Sequence, residues 1–208
     1  MPFTPEQFFD VFRAYNATVW PAQVLLHLLA LAAAALAFRA GRGAGVAISL
    51  ILAFLWTWVG FAYHLAFFAV INPAAIGFGL ASIVAAGLFL WHGALRRRLR
   101  FRCSMAPLPI AGLVLIVFAL AAYPLWSTWS GHAYPALPTF GLPCPTTLFT
   151  LGMLALLEPP YPRSPLIIPL VWSAIGAQAA VLLDWPADLS LIAAGLLGVV
   201  LLARARAI

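Results

Sequence analysis

Charged residues are scarce in this sequence. Only 8% of its 208 residues are Asp, Glu, Lys or Arg, whereas a soluble domain carries about 25%. Lysine is absent, and all eleven basic residues are arginines. So few charges cannot solvate the surface of a folded chain of this length, which excludes an ordinary soluble domain. Because 65% of the residues are hydrophobic, we expect an all-α integral membrane protein whose main partner is the lipid bilayer.

Cysteines are also few, and a cationic leader is missing. Cys103 and Cys144 are the only cysteines, too few for a disulfide framework. No basic cluster precedes the first apolar run, so we expect no cleavable signal peptide. The arginines lie at the ends of apolar runs and not along one face, which argues against nucleic acid as a partner.

Residues 1–17 are predicted to form an amphipathic helix on the membrane surface. Thr4 and Gln7 match a capping box, and Pro5 suits the first helical position. Aromatic side chains then recur on one face at helical spacing: Phe8, Phe12 and Tyr15. The segment is too short and too charged to span a bilayer, so we expect it to lie in the interface.

Residues 18–208 contain seven apolar runs and are predicted to form one domain of seven transmembrane helices. The runs are 18–38, 46–71, 73–95, 107–126, 143–157, 164–183 and 186–203. A helix needs about 20 residues to cross the hydrocarbon core. The fifth run is shorter, so we expect it to be tilted, broken or a half-span packed inside the bundle.

The arginines indicate the number of spans and their direction. With seven spans, ten of the eleven arginines fall on one side: Arg39, Arg42, Arg96, Arg97, Arg98, Arg100, Arg102, Arg163, Arg204 and Arg206. A six-span bundle would divide them. Asp184 and Asp188, assigned to the outer loop that joins the last two spans, fall on the other side. The positive-inside rule then predicts an outside N-terminus and a C-terminus in the cytoplasm, in the cytoplasmic (inner) membrane.

Two histidines are predicted to lie within spans at a shared depth. His27 and His64 would sit roughly 10–12 Å below the outer surface, counting 1.5 Å per residue. Polar groups inside a membrane are the first candidates for function. A local hydrogen bond between helices is the alternative for each. Tyr63 beside His64, and Asn72 at the outer end of the second run, are further candidate contacts.

The fifth run opens with Pro-Cys-Pro-Thr-Thr at 143–147. This pattern predicts a helix start with Cys144 at the cap, followed by Thr146 and Thr147 in the first turn. Free amides and the positive end of the helix dipole favour an anion or a thiolate there. Ordinary helix-start chemistry is the alternative interpretation.

These groups could line one outward-facing vestibule. The candidate solute or ion contacts are Tyr63, His64, Asn72, Cys144, Thr146 and Thr147. Imidazole and thiolate bind Zn or Cu, and the candidate metal or haem ligands are His27, His64, His132 and Cys144. The spacing alone is not a metal motif, because only a fold that converges the helices would form the site.

Three functions remain open at this point. The first is binding or transport of a small solute or a metal ion through the outward-facing site. The second is a redox protein in which His27 and His64 ligate a b-type haem. The third is an accessory subunit of a larger membrane complex, or a homo-oligomer. An enzyme is less expected, because no pair of carboxylates is placed for acid–base work.

Four short patterns resemble a known family. They are Thr4-Pro5-Glu6-Gln7-Phe8, Tyr63-His64 with Phe67-Phe68, Ile71-Asn72-Pro73-Ala74-Ala75, and Cys144-Pro145-Thr146-Thr147-Leu148-Phe149-Thr150. The chain resembles a bacterial multi-pass membrane family known only as a domain of unknown function. The resemblance covers nearly the whole chain. It implies a distinct compact membrane fold, but no activity, substrate or cofactor.

Overall fold

The computed structural model describes residues 2–39, 41–129, 133–183 and 185–206, the side chain of Ala179 excepted. Within these residues the chain is helical and has no β-strand. The helices are α1 (Pro5–Val19), α2 (Ala22–Arg39), α3 (Arg42–Val70), α4 (Ala74–Leu95), α5 (Pro107–Trp129), α6 (Pro143–Leu154), α7 (Ser164–Leu182) and α8 (Pro186–Arg204). The all-helical prediction is confirmed.

Six helices in the described part of the chain are long and apolar enough to cross a membrane: α2, α3, α4, α5, α7 and α8. Each of them also exposes large apolar side chains, for example Leu28, Phe54, Val84, Val114, Val171 and Val199. A soluble bundle would cover such a surface with polar groups. The helices and their surface together indicate a multi-pass membrane protein.

The helix α6 stands where the fifth span was predicted and differs from the other six. Its 12 residues give a length of about 18 Å, against a hydrocarbon core of about 30 Å. Every residue of α6 except Cys144 is buried. Of the forms expected for the fifth run, the structure has a short helix packed among its neighbours, where protein contacts satisfy the irregular backbone that follows it.

Two glycines bring α5 and α6 together. A Cβ atom added to Gly112 would lie 2.5 Å from the carbonyl oxygen of Gly152 and 2.8 Å from the Cβ of Ala155. Small residues at such contacts let the backbones of membrane helices approach closely. This contact holds α6 against α5 and thereby fixes the position of Cys144 at its start.

The segments that carry the ten arginines meet at one end of the bundle, here called the arginine end. The Arg102 amide donates to the Leu156 carbonyl at 2.8 Å, and the Arg206 amide donates to the Tyr161 carbonyl at 3.1 Å. The Glu158 amide donates to the Arg100 carbonyl at 2.8 Å. The chain after α6 therefore ends among the arginines, while the start of α6 lies at the opposite end, here called the cavity end.

The helix α1 closes the cavity end. Its capping box is present: the Thr4 amide donates to the Gln7 side chain at 2.9 Å, and the Gln7 amide to the Thr4 hydroxyl at 3.3 Å. The aromatic face of α1 packs on α3, with ring centroids 5.6 Å apart for Tyr15 and Tyr63, and 5.8 Å apart for Phe8 and Phe68. That face is covered by protein; the position of α1 in the membrane interface stays a prediction.

Asn16 fixes α1 to the segment 133–142. This side chain is fully buried. Its amide donates to the carbonyls of Pro135 at 2.6 Å and Leu137 at 2.8 Å. The Thr139 hydroxyl donates to the Asn16 side-chain oxygen at 2.6 Å. Because every polar atom of the Asn16 side chain is used, this residue acts as a clamp over the cavity end.

Candidate functional site

A cavity of about 200 Å³ lies under α1 at the cavity end. Aromatic and aliphatic side chains from α1, α3, α4, α6, α7 and the residues just before α8 form most of its wall. The residues that bring polar atoms to the lining are Tyr63, His64, Asn72, Tyr123, Cys144, Trp172, Gln178, Trp185 and Asp188. An apolar pocket with a few polar groups is the usual form of a small-molecule site.

His64 has no hydrogen-bond partner within the described residues. It is 0% exposed, and neither ring nitrogen is bonded. The ring lies among aromatic rings instead, with centroid distances of 4.9 Å to Trp172, 5.2 Å to Tyr63 and 5.7 Å to Phe78. A buried polar group left unpaired costs about 1–3 kcal/mol. A molecule in the cavity would supply the missing partner.

The backbone around His64 is unusual. The residues Val59–Leu65 form a π-helical segment within α3. Such widened turns are rare and often occur at functional sites, although two others in the described residues, Leu90–Leu95 and Phe118–Ala122, do not line this cavity. The segment lies where α3 passes Gly79 of α4, since a Cβ atom on Gly60 would be only 3.0 Å from the Gly79 carbonyl oxygen. The widened turn and the glycine contact set where His64 lies relative to α4.

Among the described residues, Asp188 is the carboxylate that lines the cavity. It lies near the start of α8 and is 8% exposed. The Tyr123 hydroxyl of α5 donates a hydrogen bond to it. The Cys144 thiol lies beside both this carboxylate and the Trp172 indole. Four helices thus contribute to a polar cluster, and it forms one side of the apolar cavity.

Four of the six predicted solute contacts line the cavity: Tyr63, His64, Asn72 and Cys144. The other two, Thr146 and Thr147, are buried in α6 and do not line it. Their hydroxyl oxygens have no hydrogen-bond partner in the part of the chain that the structure describes. Their predicted contact with a solute stays a prediction.

The predicted cap of α6 is off by two residues. The helix begins at Pro143 with Leu142 at the N-cap position, so Cys144 lies in the first turn. Proline favours the first helical position because its φ angle is fixed and its missing amide is not needed there. The Asn72 side-chain oxygen accepts a hydrogen bond from the Ala74 amide at 3.1 Å, in the turn where α4 begins with Pro73 at its N-cap position.

His27 and His64 do not share a site. The His27 Nε2 atom lies 3.3 Å from the Leu120 carbonyl oxygen. Its ring packs 5.0 Å from the ring of Phe140, in a groove separate from the cavity. The alternative interpretation of His27, a local hydrogen bond between helices, therefore matches its surroundings.

His132 lies outside the described residues. Within those residues, no three His, Cys, Asp or Glu side chains are grouped as a metal site.

Residues 5–207 match the model of a family described as "Family of unknown function (DUF6064)". The chain belongs to this family. The predicted resemblance to a domain of unknown function is thereby confirmed. No curated protein and no solved structure matches the chain. The function of this DUF6064 protein must therefore be argued from its site.

Sequence reasoning missed three residues of the DUF6064 cavity: Tyr123, Trp172 and Asp188. Asp188 was assigned to a polar outer loop, although it belongs to the first turn of the last helix. The sequence does contain a clue to this position, because Asp188 lies two residues after Pro186, which begins that helix. A carboxylate inside the first turn of an apolar span is an ionisable group at the membrane boundary, a common mark of a site.

Proposed function

We propose that this protein binds or transports a small solute through the cavity, which opens to the outer side of the cytoplasmic membrane. The observation that carries the proposal is His64, a fully buried imidazole without a partner among the described residues that lines the cavity. A neutral imidazole offers one donor and one acceptor. A solute with complementary groups would relieve the cost of leaving both unpaired.

The size of the cavity limits the solute. An engineered protein cavity of about 150 Å³ holds one benzene molecule, and the cavity here measures about 200 Å³. One substituted aromatic ring, or an aliphatic molecule of similar volume, would fill it. We favour an organic solute over a metal ion because His64 lies against the Trp172 ring, and within the described residues no three His, Cys, Asp or Glu side chains are grouped as metal ligands.

The proposed orientation of the protein requires that the chain cross the membrane seven times, with the arginine end in the cytoplasm. Support comes from α6 and the chain up to Glu158, which together join the cavity end to the arginine end. Alkaline phosphatase fused to the C-terminus should be inactive, while green fluorescent protein fused there should fluoresce. An impermeant thiol reagent should label Pro2→Cys in intact cells of a strain whose protein lacks Cys103 and Cys144. The reverse pattern would overturn the direction.

Solute binding can be tested through Cys144. In the Cys103→Ser protein, Cys144 is the single thiol, and the small neutral reagent methyl methanethiosulfonate should modify it slowly, because the thiolate is the reacting form and this thiol lies beside the Asp188 carboxylate. Indole, with one N–H group on an aromatic frame, should slow this modification several-fold by occupying the cavity. His64→Phe should remove the protection. Cys144→Ser, which leaves only Cys103 at the arginine end, is the matched control in which indole should have no effect. If no aromatic solute slows the reaction of Cys144, the proposal is wrong.

A further inference from the structure

We infer that the ligand of this cavity is a lipophilic organic cation, namely an amine carried on one aromatic ring, and that Asp188 pairs with its charge. The inference rests on the proposed function and names the class of solute for the same cavity. Three observations support it: the carboxylate, the aromatic wall and the place where the cavity reaches the surface.

Asp188 has no cationic partner within the described residues. Both ion pairs of the described chain lie elsewhere, between Asp10 and Arg13 and between Glu158 and Arg102. No arginine is among the described residues that line the cavity, and the chain has no lysine. Buried charges in proteins are normally paired, because leaving one alone in a low-dielectric site is costly. A cationic ligand would complete the pair.

The wall of the cavity suits the rest of such a ligand. It includes the aromatic residues Phe3, Phe8, Phe12, Phe68, Trp172 and Trp185. The faces of aromatic rings attract cations, most strongly for tryptophan, and the attraction grows when water is excluded. The unpaired acceptor nitrogen of His64 could also accept a hydrogen bond from an ammonium group. The aromatic wall and the polar groups of the cavity therefore favour the same class of ligand, an amine carried on an aromatic ring.

The cavity reaches the surface where lipophilic cations collect. Its lining includes two exposed residues of α7, Gln178 and Leu182, and the exposed Pro2 before α1. Gln178 lies about 6 Å from the end of α7, counting 1.5 Å per residue. The helix surface around it is apolar, so this opening lies near the boundary between hydrocarbon and headgroups. Ring systems with one polar end concentrate at that level of a bilayer.

The test compares two probes of nearly equal shape, 2-phenylethylamine, which is protonated at neutral pH, and the neutral 2-phenylethanol. Each is added while methyl methanethiosulfonate modifies Cys144 in the Cys103→Ser protein. We expect the amine to halve the reaction rate at a concentration at least 10-fold below that of the alcohol. Asp188→Asn should remove this 10-fold advantage and leave the effect of the alcohol unchanged. Glu158→Gln, which neutralises a carboxylate at the arginine end, is the matched control and should change neither value.

The outcomes separate this inference from the proposed function. Equal protection by the amine and the alcohol would overturn the cationic ligand while leaving a solute site in place. Protection by neither probe, and by no other aromatic solute, would overturn both. If Asp188→Asn does not fold, the comparison of the two probes on the parent protein still decides the question.

Discussion

The two ends of the bundle differ in how their ionisable side chains are buried and hydrogen-bonded. At the arginine end Arg102 lies 3.4 Å from Glu158, and the His92 Nε2 atom lies 2.8 Å from the Ser164 hydroxyl, although the His92 Nδ1 atom has no partner among the described residues. At the cavity end His64 is buried and unpaired, and Asp188 is buried without a cation among the described residues. Both ends hold ionisable groups, but among the described residues only His64 is a buried imidazole with neither ring nitrogen bonded.

Burial alone does not separate structural from functional groups. Asn16 lies at the cavity end and is as buried as His64, yet its side chain is fully hydrogen-bonded. The comparison of these two residues shows that hydrogen-bond pairing separates structural from functional groups better than burial does. A buried group whose bonds are made holds the fold together, whereas one whose bonds are missing and that also lines a cavity, as His64 does, is available to a ligand.

The largest effect should come from Asn16→Ala. The substitution removes the clamp between α1 and residues 133–142 and leaves the carbonyls of Pro135 and Leu137 without their donor. Each buried group left unpaired costs about 1–3 kcal/mol, so we expect a loss of about 3 kcal/mol in the free energy of unfolding. Denaturant unfolding of the purified protein in detergent measures it.

Arg102→Ala is the control for Asn16→Ala at the arginine end. The Arg102 and Glu158 side chains are well exposed, and exposed ion pairs contribute roughly 0–1 kcal/mol. If both substitutions cost the same free energy of unfolding, the contrast between paired buried groups and exposed charges would not hold.

Two histidine substitutions should change stability in opposite directions. His64→Phe replaces an unpaired ring with an apolar one among aromatic neighbours, and we expect the free energy of unfolding to rise by about 1 kcal/mol. His92→Phe removes the hydrogen bond to Ser164 at the arginine end and should lower it by about 1 kcal/mol. Thermal unfolding of both variants beside the parent protein measures the difference. A loss of stability in His64→Phe would show that His64 has a structural role.

The sequence predicts how far along a helix a residue lies, but it does not predict which way the side chain points around the helix axis. Counting residues predicts similar depths for His27 and His64, and the structure has them on the neighbouring helices α2 and α3. Whether two side chains meet, however, depends on how each helix is rotated. His27 faces the Leu120 carbonyl and His64 faces Trp172. That rotation follows from packing between helices, which no single-helix pattern contains.

The same limit explains what sequence did and did not predict elsewhere. The capping box of Thr4 and Gln7 is local and was found correctly. Cys144 and His64 were placed together because both lie near an outer helix end. Asp188 was missed because its bonding partner Tyr123 is 65 residues away in sequence. Only the fold shows that this carboxylate faces a cavity and not the water outside the membrane.

The smallest effect should come from Glu6, the exposed acid in the first turn of α1. Hydrogen bonds from its own backbone region and from Thr4 hold the pKa of this carboxyl below its ordinary value. The ionised form therefore favours the folded state, a contribution that is present above the unfolded pKa and is lost as the pH falls through the folded pKa. We expect the Tm of the parent protein to exceed that of Glu6→Gln slightly at neutral pH and the gap to close in acid. The difference in Tm should be small because Glu6 is fully exposed and water already solvates its charge. A large difference would mean that exposed charges at the cavity end affect stability more than the exposed arginines at the arginine end do.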